Sequence, residues 1–261
     1  MNTSSAIPRF SANQRSVAIL TYHQIAPAPA AGAPFRSLYV SEQRFRRQML
    51  WLRNLGYRGV SMAELMPYLR GERRGRVVGI TLDDGYRNNL VSALPVLQSL
   101  GFTATCYVVS GLMGRSNVWD HSIGIEPADL MSASEVRAWA EAGMEVGSHT
   151  RHHVHLNESS ADIVRDELRG SRQDLEDLLG RPVRQFCYPF GHYRTEQAEA
   201  VVSAGYEAAT TTHRGHVLQG DDVFQLRRIP VVRSTYWPQF LLKVLTGYEN
   251  KYRAREDAHR E

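Results

Sequence analysis

Cysteine is almost missing from this 261-residue chain, which carries only Cys106 and Cys187. That excludes a disulfide-stapled scaffold, and two thiols cannot by themselves complete a thiolate zinc site. Each lies inside an apolar run, so both are expected as buried free thiols. Lysine is equally scarce, with Lys243 and Lys251 alone among 31 basic residues. The net charge is +4 and the isoelectric point about 9.2. Yet the arginines are scattered, apart from Arg44/Arg46/Arg47 and the group within 70–76, and no aromatics interleave with them. A nucleic-acid interface is therefore not expected, while an anionic glycan or a membrane surface stays open as a partner. No apolar run reaches the roughly 18 residues that would cross a bilayer. The opening MNTSSAIPRFSANQRS lacks the apolar core of a secretion signal. A cytoplasmic location is expected, or a periplasmic one if the N-terminus has been trimmed. No glycine-rich loop follows an early strand, which argues against a dinucleotide fold.

What is present is a regular alternation of strand and helix patterns. Apolar runs at 17–22, 77–82, 102–109, 144–147, 184–188, 206–212 and 226–232 read as strands. Helical spacing is read over 41–55, 61–70, 89–100, 132–142, 160–179, 195–204 and 237–248. Ser61-x-x-Glu64 and Ser132-x-x-Glu135 are capping boxes that open two of these helices. The stretches 24–38 and 111–131 lack period and read as loops. This alternation predicts α/β architecture, a parallel sheet covered by helices. The expected organisation is a loose segment over 1–16, one domain over 17–248, and a charged, frayed tail over 249–261. The length suits a single (β/α) barrel.

The chemistry gathers where strands end. Asp83, Asp84 and Gly85 follow the strand at 77–82. Adjacent carboxylates at the mouth of a buried strand raise each other's pKa unless a cation or donors compensate. They are either a polar turn or part of a metal or proton-transfer site. A second cluster, Gly147-Ser148-His149-Thr150-Arg151-His152-His153-Val154-His155, holds four of the ten histidines. His149 and His153 stand four apart, so one helical turn would put both imidazoles on one side. Two imidazoles and a carboxylate form a common ligand set for catalytic zinc. His23 ends the first strand, and Tyr188-Pro189-Phe190-Gly191 follows a later one. In a barrel these ends share one face.

With these residues in place, the chain resembles the polysaccharide deacetylase family, the NodB-homology group of carbohydrate esterases. Thr81-Leu82-Asp83-Asp84-Gly85 matches T-F-D-D-G, and His149-Thr150-Arg151-His152-His153 matches H-[ST]-x-x-H. Phe186-Cys187-Tyr188-Pro189-Phe190-Gly191 matches the third, P-Y-G-containing motif. The resemblance runs from about 17 to about 232. It implies a single distorted (β/α) barrel of the NodB-homology type. It also implies a hydrolase that removes N-acetyl groups from N-acetylhexosamine units of a polysaccharide or cell-envelope glycan. Asp84, His149 and His153 would hold one divalent metal, Zn2+ in the first place, with Co2+ or Ni2+ as alternatives. Asp83 would be the general base, and the backbone N–H of Phe190 would face the oxyanion. Tyr22-His23-Gln24-Ile25 is similar to a segment of biofilm-polysaccharide deacetylases, so His23 would be an acid or acetate contact; ordering the 24–38 loop is its alternative role. Tyr86, Trp119, Tyr188, Pro189 and Gly191 would line the glycan site, as would Arg87, Asp120, His121 and Tyr193.

The sequence departs from that pattern in two places. The third motif often carries an arginine that steadies the base, and Cys187 stands there. The late histidine that serves as general acid has no clear match, since His213 and His216 read as loop residues. Other outcomes carried from the sequence are an O-acetyl ester, glycolipid or non-sugar amide substrate, or a weakly active glycan-binding relative. Oligomeric state is not legible.

Overall fold

The computed structural model describes residues 16–257. The segment expected to be loose over 1–16 thus lies almost wholly outside the described residues. In chain order the elements are β1 Ser16–Val17, β2 Ile19–Tyr22, α1 Glu42–Asn54, β3 Arg58–Val60, α2 Met62–Leu69, β4 Val77–Leu82, α3 Leu94–Ser99, β5 Thr105–Val108 and α4 Ala133–Glu141. They continue with β6 Glu145–Ser148, α5 Ala161–Leu179, β7 Gln185–Cys187, α6 Thr195–Ser203, β8 Ala208–Arg214, β9 Val217–Leu218, β10 Leu226–Pro230, α7 Trp237–Leu245 and α8 Asn250–Asp257.

Seven parallel strands close a ring in the order β2-β10-β8-β7-β6-β5-β4, and β4 pairs back to β2. At that seam Ile19 faces Gly79 and Tyr22 faces Leu82. The ring is distorted at two places. β3 takes the first half of the β4 edge (Arg58 opposite Val77), and β5 joins that edge only at Thr81. β6 and β7 share the single partner pair Ser148 and Phe186. β1 and β9 pair antiparallel outside the ring. This is the distorted (β/α) barrel that the family resemblance implies, with the helix-covered parallel sheet that the alternation predicts.

Strand alternation sorts the core into two layers. Ile19, Tyr107, Cys187, Ala208 and Leu226 point into the barrel and share one buried cluster. Leu20, Cys106, Phe186, Ala209 and Ile229 point outward into the larger cluster beneath the helices. Gly147 is required at the inner layer, because a Cβ there would meet the Tyr107 ring at 2.5 Å. Cys106 and Cys187 are both free and buried. Ser41, Ser61, Ser132 and Ser160 cap α1, α2, α4 and α5, each accepting a backbone N–H.

Several elements differ from expectation. The helix read over 89–100 is a π-type turn, Asn89–Ala93, followed by α3. Pro95 has no N–H to return to the preceding turn, so the α register restarts with Pro95 in its first turn. The last helix stops at Leu245, and the chain beyond 248 is not frayed where it is described. Glu249 is fully buried, with its carboxylate 3.1 Å from Lys243 Nζ and 2.7 Å from Arg214 Nη2. Those pairs draw Gly247–Glu249 into a 3-10 turn and lead into α8. The loop at 111–131 contains short 3-10 turns at Ser110–Leu112 and Val118–Ile123.

Candidate active site

The site forms at the carboxyl ends of the ring strands, where a barrel presents its loops. β4 runs straight into Asp83 and Asp84, which are 3% and 6% exposed. Asp84 (φ 74°) and Gly85 (φ 77°) are both left-handed, so the chain turns sharply and the two carboxylates acquire different partners.

Asp83 is gripped by Arg228 of β10. Nη1 donates to Oδ1 at 2.7 Å and Nη2 to Oδ2 at 2.8 Å. Arg228 also donates from Nε to the Thr211 carbonyl (2.8 Å), from Nη1 to Thr81 Oγ1 (3.1 Å) and from Nη2 to Cys187 Sγ (3.2 Å). All five guanidinium N–H groups therefore have an acceptor. Burial pushes the Asp83 carboxyl up, but the Arg228 charge and its two hydrogen bonds outweigh burial and hold it below the ordinary range. This arginine answers the substitution at Cys187. The family's steadying arginine is replaced by a thiol on β7, and the guanidinium arrives from β10 instead. Sequence reasoning missed it; its only trace is the pair of adjacent arginines inside the buried strand LRRIP.

Asp84 faces the two histidines. Its Oδ1 lies 3.3 Å from His149 Nε2 and 3.4 Å from His153 Nε2. The ligand atoms of Asp84, His149 and His153 all lie within 4.8 Å of one another, and all three residues are buried. Burial works upward on Asp84, yet hydrogen bonds from both imidazoles carry it well below its ordinary value. The imidazoles split. His149 is held well above its usual value: burial works downward, but the neighbouring Cys187 and the bond to Asp84 prevail. Burial first, then the neighbouring His149 charge, pushes His153 down to about 4, with Asp84 opposing. His149 Nδ1 sits 2.7 Å from the Cys187 carbonyl, which only accepts; Nδ1–H donates and Nε2 is turned toward Asp84. His153 Nδ1 is buried without a hydrogen-bond partner. Two imidazole nitrogens and one carboxylate oxygen converging at this spacing fit a divalent cation of the zinc type. Asp83, His149 and Cys187 form a second close group. Its carboxylate, however, is already held on both oxygens by Arg228.

The spacing of the two histidines does not work as a helical turn. Residues 149–153 are irregular, with Thr150 at φ 65° and His153 at φ 56°. Thr150 Oγ1 accepts the His153 N–H at 3.0 Å and closes the turn. Left-handed residues, not helix pitch, bring the rings together. The non-glycine residues with positive φ are Phe35, Asp84, Thr150, His153 and Phe190. Each either lines the cavity or sits in the turn between the two candidate ligand imidazoles. Each costs backbone energy that surrounding structure must hold in place.

Above these groups lies a cavity of about 440 Å³. His23 lines it, with Nε2 3.9 Å from Asp83 Oδ2. Phe190 (φ 58°) lines it too, stacked on His155 with ring centroids 3.9 Å apart. Trp119 stacks on His153 at 4.4 Å, so one ring face is spent on packing a candidate ligand. Tyr86 and Tyr188 reach the wall, but both are almost fully buried, and the Tyr188 hydroxyl donates to the Phe224 carbonyl. Pro189 and Gly191 do not line the cavity. They shape the turn beneath Phe190: a Cβ on Gly191 would meet Thr212 Oγ1 at 1.8 Å. Of the other expected contacts, Asp120 lines the wall, whereas Arg87 pairs with Glu135, and His121 and Tyr193 are not part of the lining. Phe35, Leu38, His192 and Pro230, with Thr21, Thr211 and Thr212, also line the wall and were not picked out from the sequence. His216 is remote, its ring nitrogens near the Lys243 carbonyl and Ser16 Oγ.

The fold and the site together define a barrel hydrolase with a carboxylate–imidazole group that could hold a cation and a second carboxylate held by an arginine. The sequence model for polysaccharide deacetylases matches residues 70–209, and the chain belongs to that family. A polysaccharide deacetylase from Bacillus cereus is similar, at 28% identity and a TM-score of 0.75, over 88% of this chain and 69% of that one. The deacetylase PplD of Streptococcus pyogenes, solved with acetate, shares the fold with a TM-score of 0.77 at 23% identity, over 88% of this chain and 99% of that one. The poly-beta-1,6-N-acetyl-D-glucosamine N-deacetylase of Escherichia coli (strain K12) is 22% identical over 82% of this chain. The chain spans only 37% of that protein's length.

Proposed function

We propose that this protein is a metal-dependent N-deacetylase that hydrolyses the acetamide of N-acetylhexosamine units in a polysaccharide and releases acetate. The observation that carries the reading is the division of labour between adjacent acids. Asp84 shares one oxygen with two imidazoles, while both oxygens of Asp83 are taken up by Arg228. Asp84, His149 and His153 would hold the cation, Zn2+ before Co2+ or Ni2+. When bound, it would polarise the acetamide carbonyl and lower the pKa of water from 15.7 to about 7, within reach of a weak base.

The chain's own residues supply the rest. Asp83 stays ionised at neutral pH because Arg228 opposes its protonation, and it takes the proton of the attacking water. The Phe190 N–H, presented by a left-handed turn, donates to the oxyanion as the carbonyl becomes tetrahedral; one such donor contributes about 3–4 kcal/mol. His23, beside Asp83, gives a proton to the leaving amine. Trp119, Phe190 and Tyr86 keep bulk water from these charges. The name of the Escherichia coli relative supports a β-1,6-linked N-acetylglucosamine polymer as the first substrate to offer.

The test is acetate release from β-1,6- and β-1,4-linked N-acetylglucosamine oligomers by Zn2+-loaded protein. Asp83→Asn should lose about 10²- to 10⁴-fold in kcat while retaining one metal per chain. Release from O-acetylated xylan but from no amide glycan would replace this reading with an esterase. Glycan binding with neither release would replace it with a binding protein.

A further inference from the structure

Helix α5 lies behind the turn that carries His149 and His153, and its buried polar face is spent almost entirely on that turn. Glu167, 4% exposed, is at the centre. Its Oε2 accepts the backbone N–H groups of Arg151 (2.8 Å) and His152 (2.9 Å). Its Oε1 accepts from His152 Nδ1 at 2.6 Å. One carboxylate thus takes three donors from two of the three residues between the candidate ligands. Asp174, two turns further along the same face, accepts a fork from Arg151 Nε (2.9 Å) and Nη2 (2.8 Å), and also the Ser110 hydroxyl (2.8 Å). Between them Gly170 leaves room for that guanidinium, since a Cβ there would meet Arg151 Cζ at 2.4 Å. Ser171 bonds Ser148, the residue before His149, at 2.7 Å. Positions 167, 170, 171 and 174 recur at helical spacing, so one helix face addresses the whole turn.

The turn needs such a clamp. Thr150 and His153 are held at positive φ without being glycine, which persists only where the surroundings over-determine it. The two consecutive N–H groups that Glu167 accepts face no backbone carbonyl among the bonds of the described residues. A charged acceptor makes those bonds strong and keeps the imidazoles pre-aimed at Asp84.

We infer that Glu167 is a positioning residue for the metal site, acting through the Arg151–His152 backbone rather than by touching substrate or cation. The inference rests on the proposed cation site at Asp84, His149 and His153. Glu167→Gln keeps the shape and one acceptor oxygen but removes the charge and replaces the other acceptor by an NH2 donor. The experiment is a Zn2+ titration, with competing chelator, of metal-free wild type, Glu167→Gln, Glu167→Asp and Glu249→Gln, alongside thermal denaturation of each metal-free protein. Glu249 is a control, a buried carboxylate remote from the site. The expected result is a Zn2+ dissociation constant raised about 10- to 100-fold by Glu167→Gln. Glu167→Asp should lie between, and Glu249→Gln should lower Tm with the Zn2+ affinity of wild type. Unchanged affinity in Glu167→Gln, whatever its Tm, would overturn the inference and leave the cation site standing. A wild type that takes up no Zn2+ would overturn the cation site itself, and the inference with it. If Glu167→Gln does not fold, the Asp variant and Asp174→Asn are read in its place against the same criterion.

Discussion

Arg228 and Asp83 form one buried ion pair at the cavity floor; Lys243, Arg214 and Glu249 form another where the last helices fold back. Both reach strand β10. Arg228 points from it into the barrel, and Lys243 Nζ donates to its Pro230 carbonyl at 2.7 Å. In chemical content the two are alike: a carboxylate below 5% exposure meeting buried or half-buried cations. They differ in what they face. Asp83 borders the cavity, with His23 and the two imidazoles nearby. Glu249 does not line the cavity and lies among its cations and His216. A buried ion pair is weak evidence for stability, because desolvation offsets much of its attraction. Its meaning comes from the open side: the first pair holds a cavity-facing carboxyl ionised, and the second fastens the turn at Gly247–Glu249 to the barrel.

The comparison breaks most visibly at Arg228. Arg228→Met leaves Asp83 buried with no countercharge, so burial then dominates and its carboxyl rises. Activity on N-acetylglucosamine oligomers at pH 7 should fall about 10- to 100-fold, and the acid limb of the kcat/KM profile should move to higher pH. An uncompensated buried charge also costs about 3–5 kcal/mol of stability. The double variant Arg228→Met with Asp83→Leu should recover much of that stability and none of the activity. An acid limb that stays in place while activity falls would reduce Arg228 to a packing residue.

The second pair should break the other way. Glu249→Gln leaves Lys243 and Arg214 without their carboxylate and should cost about 3 kcal/mol, or roughly 6–12 °C in Tm for a domain of this size. Turnover per folded molecule should match wild type. Any loss of kcat beyond the unfolded fraction would mean that β10 transmits strain from one cluster to the other.

How much of this was legible in the sequence follows from how local each feature is. Asp83 and Asp84 were legible because an apolar run ends on them. His149 and His153 were legible because they share nine residues with two other histidines. The helix-covered parallel sheet followed from strand–helix alternation, a pattern that needs no contact information; its closure into a barrel rested on the family resemblance. Arg228 was not legible, since it meets Asp83 across 145 positions and nothing local to LRRIP says which arginine turns inward. The turn at 149–153 was misread as helical because spacing reports sequence distance, whereas φ at Thr150 and His153 is set by Thr150 Oγ1 and by the grip of α5. Pro189 and Gly191 looked like glycan contacts because they flank Phe190; their work is steric, below the turn. Glu249 looked like the start of a tail because charge was read without its partners.

The smallest effect lies in the candidate ligands and separates them from both ion pairs. In the metal-free protein His153 is pushed down to about 4 by burial and by the His149 charge. The unfolded chain takes up a proton there near pH 6.5, and the folded chain does not until about pH 4. Stability from neutral His153 is therefore present above pH 6.5 and declines as pH falls from 6.5 toward 4. His149 has the opposite sign. Its raised value contributes stability that is complete below pH 6.5 and lost as pH rises, so it does not mask the slope in this window. Asp83 and Asp84, both lowered, keep their contribution until pH falls below about 3.8, and lose it only as pH drops through their folded-state values. Metal-free wild type should thus lose on the order of 2–3 kcal/mol between pH 6.5 and 4. His153→Gln should be shallower over the same interval, keeping only the slope left by His216, whose imidazole burial also pushes down. Chemical denaturation at pH 6.5, 5.25 and 4 measures both curves. Parallel curves would mean that His153 is not held neutral, and that the two imidazoles share their proton differently from the asymmetric arrangement around Asp84.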